Sequence, residues 1–369
     1  MRRFEDLVPA IEVLSDGKNK VIFDDIDAPS IMVIIDQCTS ASLYSGGAST
    51  VHPAFKVGDT VKTQVGFSKF INVVKNSRAY SLPLQDPQAN VTWDAANTYC
   101  MNKGAGWGLT PNALWAVVAY QSRNNKTQPH GNNNYGKDYL YTNESGKVSY
   151  TYTDGSTTRN GRTYTGSGPT TWFHDHTPFG IADLNGNVCE WQGGFRQVKG
   201  EPQFIPNANC MSYTNVSSFA ASSELWKAIP NGANSTPTLA CSSTANTATA
   251  VCFDVVSGKT RLTLGSKTTN ANAGNWYHFH DSTQFVVDSE NSVVVPNYLK
   301  DMAIWPVGDI SDYLGTQGLW INPSLGETMP LRGGDWSYAS SAGVWYCTLL
   351  VARTGSSHGI GFRACFYGL

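Results

Sequence analysis

At 369 residues the chain is long enough to bury one large core or two ordinary ones. A formal charge of −2, with only 15% charged residues, leaves no basic field to hold a nucleic-acid backbone or an anionic membrane surface, so neither is expected as a partner. The 11 Trp and 17 Tyr beside 35 Gly fit a loop-rich fold in which large rings fill the gaps between short elements.

The N-terminus, MRRFEDLVPAIEVLSDG, has two arginines but no continuous apolar stretch, because Glu5, Asp6 and Glu12 interrupt it; a Sec signal peptide is not expected. No apolar run approaches the ~18 residues of a membrane span. Residues 1 to about 28 read as an extension, and PSIMVIID reads as the buried strand that starts the main domain. Thr92 caps a first helix with Asp94 in its first turn, Trp93, Ala96 and Cys100 on one face, and Gly104 at its end. A second opens with Thr110 as N-cap and Pro111 at the first helical position, carrying Leu114, Trp115, Val118 and Gln121 along one stripe. From Asn124 the composition shifts to turn residues, with QPHGNNNYGKDY as the extreme case. Between about 195 and 330 the chain is polar and irregular, with strand-like pieces TRLTLG and QFVVD, and reads as an insertion in the domain. No repeat at a fixed period points to a solenoid or propeller.

Eight cysteines without a C-x-x-C pair argue against a zinc site or a thioredoxin-type motif. Buried free thiols are the preferred reading, with Cys241 and Cys252 the best-placed pair for a bridge. His174 with His176, and His278 with His280 and Asp281, each put two imidazoles on one face if extended. Spacing supplies no third ligand, so locally hydrogen-bonded loop histidines are preferred. No P-loop, Rossmann fingerprint or Ser-His-Asp grouping is present, so neither an enzyme nor a catalytic cofactor is expected.

Three segments are distinctive. PFGIADLNGNVCEW (178–191) has a tight turn at Asn185 and Gly186, inward Val188 and Trp191, and one carboxylate, Glu190, that needs a partner or a cation among apolar neighbours. LRGGDW (331–336) has two glycines in a strand, which allow a bulge or close backbone approach. GIGFRAC (359–365) is an apolar closing strand with a built-in Arg.

GNVCEW, RGGDW and GFR in that order, with the helix pair VTWDAANTYC and GLTPNALWAVVAY, resemble the formylglycine-generating-enzyme (sulfatase-modifying factor) branch of the C-type lectin fold. The resemblance covers the chain from about residue 29 apart from the inserted segments. It implies an α+β fold: one C-type lectin-like domain over 29–369, two helices on a small antiparallel sheet, long loops, and a polar insertion at about 195–330. It also implies a structural calcium, with oxygen ligands from Asn185, Gly186, Val188 and Glu190, a set that suits a hard cation. The residues leave open the alternative that Glu190 pairs with an Arg or backbone amides. The enzymes of this branch hold copper with two cysteines between RGGS and GFR. Aligning Ala352 and Arg353 with their A-R puts Trp345 and Leu350 at those positions, and Cys347 alone cannot make a bis-thiolate site.

The chain resembles more closely the variable proteins of diversity-generating retroelements, which share the fold and include phage tropism determinants. In them, adenine-directed mutagenesis rewrites codons between R-G-G-x-W and G-F-R. AAY codons become NNY codons, which exclude Lys, Glu, Gln, Met and Trp; the stretch 335–369 contains no Lys, Glu, Gln or Met. The resemblance implies a diversified binding face made of Asp335, Ser337, Tyr338, Ser341, Tyr346, Thr348, Leu350, Val351, Gly355, Ser357, His358 and Gly359. Trp336, Trp345, Ile360, Phe362 and the glycines would be fixed scaffold, and interleaved positions would project outward with the strand period of two. Tyr338 and Tyr346 would add contact area at low entropic cost. The implied partner is a protein or glycan ligand on a cell surface. The implied setting is a virion (phage tail) or a bacterial cell surface, serving recognition by a phage, prophage or bacterium. The rival expectation is a sulfatase-modifying-factor-like enzyme with altered chemistry.

Overall fold

The computed structural model describes residues 8–244, 247–265, 275–308 and 310–369; residues 1–7 of the expected extension lie outside them. The element order is irregular because short strands separated by turns pair over long sequence distances. A five-stranded antiparallel sheet runs Asn19–Phe23, Pro29–Asp36, Gln64–Ser68, Ala364–Phe366, Trp107–Leu109. The C-terminal strand thus lies inside the sheet. The boundary expected near residue 28 falls within a hairpin. Asn19–Phe23 pairs along its whole length with Pro29–Asp36, and buried Asn19 accepts from the Lys69 ammonium at 2.6 Å, so the folded sheet starts earlier than the apolar run suggests.

The first helix, Trp93–Met101, starts as its sequence dictates: the Thr92 hydroxyl accepts from the Ala95 amide at 3.3 Å, and Trp93, Ala96, Cys100 and Met101 are buried. The second, Asn112–Asn124, departs from expectation in two ways. Pro111, not Thr110, is the cap residue, because the Thr110 hydroxyl donates to the Arg363 carbonyl at 2.9 Å. Eleven of its thirteen residues are buried, so it is wrapped on all sides rather than striped, and Gln121 is only half-buried.

A ten-stranded sheet holds Cys189–Trp191, Glu327–Gly333, Gly343–Val351 and Ile360–Phe362. The polar region at about 195–330 is built into that sheet: Phe195–Val198 pairs with Glu327–Gly333, and Gly318–Ile321 runs parallel to Gly343–Val351. TRLTLG and QFVVD fall in strands Lys259–Leu264 and Phe285–Val287, which pair in a separate three-stranded sheet with Val251–Val256. One apolar cluster runs from Met32 to Tyr367 through both larger sheets and both helices. With few helices and mostly small antiparallel sheets, this is the α+β, C-type lectin-like fold. Among the described residues no helix is long and apolar enough to cross a membrane.

Candidate functional site

The three distinctive segments meet in one place. Cys189–Trp191 lies between Glu327–Gly333, with Glu190 opposite Arg332, and Ile360–Phe362, with Trp191 opposite Phe362. Both Glu190 oxygens accept from Arg363 Nε, at 2.9 and 2.7 Å, and the remaining guanidinium nitrogens donate to the carbonyls of Lys69, Ala182 and Asp183. Arg332 is equally buried and is satisfied by Asn112 Oδ1 at 2.9 Å and the Met302 carbonyl at 2.8 Å. These arginines act as internal brackets between sheet, helix start and loop.

This arrangement bears on the calcium expected at Asn185, Gly186, Val188 and Glu190. The Glu190 carboxylate is turned to a guanidinium, the Asn185 amide sits between the Pro129 carbonyl and Asn133, and the Val188 side chain packs with Ile71 and Trp336. A cation at Glu190 would face Arg363, so the one charged member of the expected set is already paired. Glu190 takes the ion-pair alternative instead.

Beside the pair, Asp183 is fully buried. Its Oδ2 accepts from the Gly166 amide at 2.8 Å, Oδ1 has no hydrogen-bond partner among the described residues, and its φ is +59°. Burial pushes its carboxyl up to about 6, against the lowering effect of that amide and of Arg363. A folded pKa above the ordinary carboxylate value means the folded state holds the proton more tightly. Stability from this group is therefore present at low pH and is lost as pH rises through about 6. Asp183→Asn removes the buried charge and suits the left-handed backbone. It is expected to raise stability at pH 8 by up to about 3 kcal/mol, with the gain vanishing near pH 4. Urea melts at the two pH values check this; a gain equal at both would contradict it.

The hairpin Glu327–Gly333 and Gly343–Val351 carries the second feature. Its register shifts between Arg332 and Gly333, where Gly333 and Gly334 take φ of +87° and +75°. Along the outgoing strand the side chains alternate. Trp345, Cys347 and Leu349 are fully buried, with Trp345 Nε1 donating to Gln128 Oε1 at 2.7 Å and its ring edge-on to Tyr120 and Tyr313. Tyr346, Thr348 and Leu350 line a cavity of about 230 Å³ on the other side.

Eight of the twelve positions expected to form the binding face line this one cavity: Asp335, Tyr338, Tyr346, Thr348, Leu350, Val351, Ser357 and Gly359. The other four do not line it. Ser337 donates through its amide and hydroxyl to Asp335 Oδ1, and Ser341 meets the Thr316 hydroxyl. His358 is exposed and stacks on Trp336 and Tyr152. Gly355 lies so close to Val351 that an added Cβ would come within 2.3 Å of its methyl.

The face is concave rather than outward-projecting. Tyr346 and Thr348 are buried at its floor, which corrects the expectation that they stand free. Gly359 is buried too, and a Cβ there would approach the Asp335 carboxylate to 2.6 Å, so a side chain at 359 requires Asp335 to move. Sequence reading missed Trp320, 38% exposed on the rim, and Trp276, whose ring lies 5.1 Å from Tyr346 and 5.8 Å from Trp320. Both come from the polar region read as an insertion. Their only signal was a large ring in a short apolar run.

The remaining candidates resolve locally. Among the described residues no disulfide joins Cys241 to Cys252 or links any of the other six cysteines, so the expected best-placed bridge does not form. His174 Nδ1 accepts from the Ile181 amide at 2.8 Å, and burial pushes its pKa down to about 4. His278 stacks on His280 at 5.2 Å. Among the described residues no group of three or more His, Cys, Asp or Glu side chains is placed to hold a metal ion. Of the positions aligned with the copper-binding cysteines, Trp345 is core and Leu350 lines the cavity.

A family model described as the sulfatase-modifying factor enzyme 1-like domain matches residues 53–249. The chain belongs to this family. The match holds both helices and GNVCEW and ends before the hairpin that lines the cavity. No curated protein matches. Two solved structures are similar to it, the Major Tropism Determinant P3c variant at 12% identity and the U1 variant at 10%, each over 91% of this chain with a TM-score of 0.30. The chain spans 62% and 63% of their respective lengths.

Proposed function

We propose that this chain is a ligand-binding protein, not an enzyme, and that its binding site is the cavity between the RGGDW hairpin and the segment before GFR. The observation that carries the reading is the convergence of eight of the twelve expected variable positions on one cavity, while the alternate residues of the same strand are locked in the core. A site that must accept many side chains needs its backbone fixed by other means. Trp345, Cys347 and Leu349 supply that from behind, and the Glu190–Arg363 bracket supplies it from below. The proposed role is recognition of a protein or glycan on a cell surface by a phage, prophage or bacterium, with the chain on a virion or a bacterial surface.

The test is binding of the fluorescently labelled full chain to a panel of bacterial strains, set beside thermal melts. Tyr338→Asn, Leu350→Ser and Ser357→Tyr are expected to change which strains are bound. For the partly exposed positions, Leu350 and Ser357, the cost in stability should stay within about 1 kcal/mol. Strain binding that ignores all three substitutions would remove the reading. A near-repeat of the C-terminal coding sequence beside a reverse-transcriptase gene would separate it from an enzyme with altered chemistry.

A further inference from the structure

The cavity has a charge without a counterpart. Asp335 is half-buried, and its Oδ1 is occupied by the Ser337 amide and hydroxyl at 2.8 and 2.7 Å. Its other oxygen lies over Gly359 and makes no hydrogen bond among the described residues. Among the described residues no ion pair reaches it. The arginines of the surrounding elements are committed elsewhere: Arg162 to Asp86, Arg353 to Glu327, Arg363 to Glu190, and Arg332 to backbone carbonyls and Asn112. His358 is exposed and stacks on Trp336 and Tyr152 rather than pairing with Asp335. Burial pushes the Asp335 carboxyl upward, against the lowering effect of the bonds from Ser337, and its second oxygen is left open to an incoming partner.

The rest of the lining has complementary chemistry. Trp320, Tyr338 and Tyr346 contribute rings, with Tyr338 and Tyr346 tilted at 42° and 5.4 Å apart, and Trp276 backing Tyr346 and Trp320. Aromatic faces attract an organic cation, more strongly where water is excluded. Leu331, Leu350, Val351 and Ile360 complete an apolar wall of the kind against which a methylene stem packs. At about 230 Å³ the cavity falls below the size typical of sites for drug-sized ligands and suits one side chain.

Resting on the binding-site reading above, we propose that this cavity receives the basic side chain of a partner protein, a lysine ammonium or arginine guanidinium. The cation pairs with Asp335 and its stem runs between the aromatic rings. This deepens the assignment from a face that varies to a face whose present sequence selects positive charge.

The probes are Nα-acetyl-arginine methylamide, its lysine counterpart, the neutral citrulline isostere and methyl glycosides, titrated into the full chain by ligand-observed NMR and tryptophan fluorescence. The basic probes should saturate at millimolar concentration, with citrulline and the glycosides at least about tenfold weaker. Asp335→Asn should abolish that preference. Its amide oxygen can still accept from Ser337, so the variant is expected to fold, and its melt verifies this. Citrulline binding as tightly as arginine, a glycoside binding in preference to both, no saturation by a basic probe, or an unchanged preference in Asp335→Asn would each overturn the proposal. If neutral probes bind and Leu350→Ser removes them, the cavity remains the binding site and only the cation inference falls. Strain binding insensitive to the cavity variants takes down the underlying reading independently.

Discussion

Glu190→Ala is expected to destabilise the protein by about 3–5 kcal/mol, enough to remove much of the stability of an ordinary domain. Arg363 is fully buried, and among the described residues Glu190 is its only anionic hydrogen-bond partner; its other nitrogens donate to neutral carbonyls. Deleting the carboxylate strands a guanidinium where neither water nor another carboxylate replaces it. The damage would spread because of where Arg363 sits. It joins Ile360–Phe362, in the ten-stranded sheet, to Ala364–Phe366, inside the five-stranded one, so one bracket serves both. Arg363→Ala should cost a similar amount by leaving Glu190 unpaired. Glu190→Gln should be milder, since it keeps an acceptor for Nε. Urea denaturation of the three variants measures the order; equal stability of Glu190→Ala and the parent would contradict the structural role. Because this carboxylate is already neutralised by Arg363, chelation of calcium is expected to leave the melting curve of the parent unchanged.

What the sequence made legible was local. The Thr92 cap, the two helices, the strand status of TRLTLG and QFVVD, and the order of the three motifs all depend on residues close together or on a family's pattern of spacing. The errors come from distant partners. Thr110 has the chemistry of an N-cap but gives its hydroxyl to the carbonyl of Arg363, 253 residues away. Asn19–Phe23 has an apolar run of just three residues, Val21 to Phe23, set between charged neighbours, and its extent as a strand comes from pairing with Pro29–Asp36. The polar 195–330 region hides Trp276 and Trp320, since only the pairing of Asn275–His278 with Gly318–Ile321, and of the latter with Gly343–Val351, brings those rings to the cavity. Gly359 fits a variable surface position by sequence, yet it is buried. A glycine carries no mark of what lies against it, here the carboxylate of Asp335.

The strand Gly343–Val351 offers the sharpest separation of scaffold from display, because both roles alternate along one backbone. Trp345→Ala is expected to cost about 3–5 kcal/mol. The indole is fully buried, is wedged edge-on between Tyr120 and Tyr313, and supplies the hydrogen bond to Gln128 Oε1, which would be left without its donor. Trp336→Ala should follow it closely. That ring is 2% exposed and holds Tyr150, Tyr152 and His358 around it, but it sits in a small satellite cluster that can partly close over the gap. Leu350→Ala should behave differently from a core leucine. Its side chain lines the cavity and is already half in solvent, so truncation enlarges an open space rather than creating a closed void, and about 1 kcal/mol or less is expected. Val351→Ala and Ser357→Ala should cost less still. Thr348 is the intermediate case: buried at the cavity floor, it tolerates Ser or Val more readily than a large residue, which would fill the cavity and change what enters it. Denaturant midpoints for these single variants, with equal m-values to confirm a common unfolding transition, establish the ranking. If Leu350→Ala unfolds the chain as readily as Trp345→Ala, then Leu350 is core, the two sides of the strand do not differ, and a cavity built for variation is the wrong description of this hairpin.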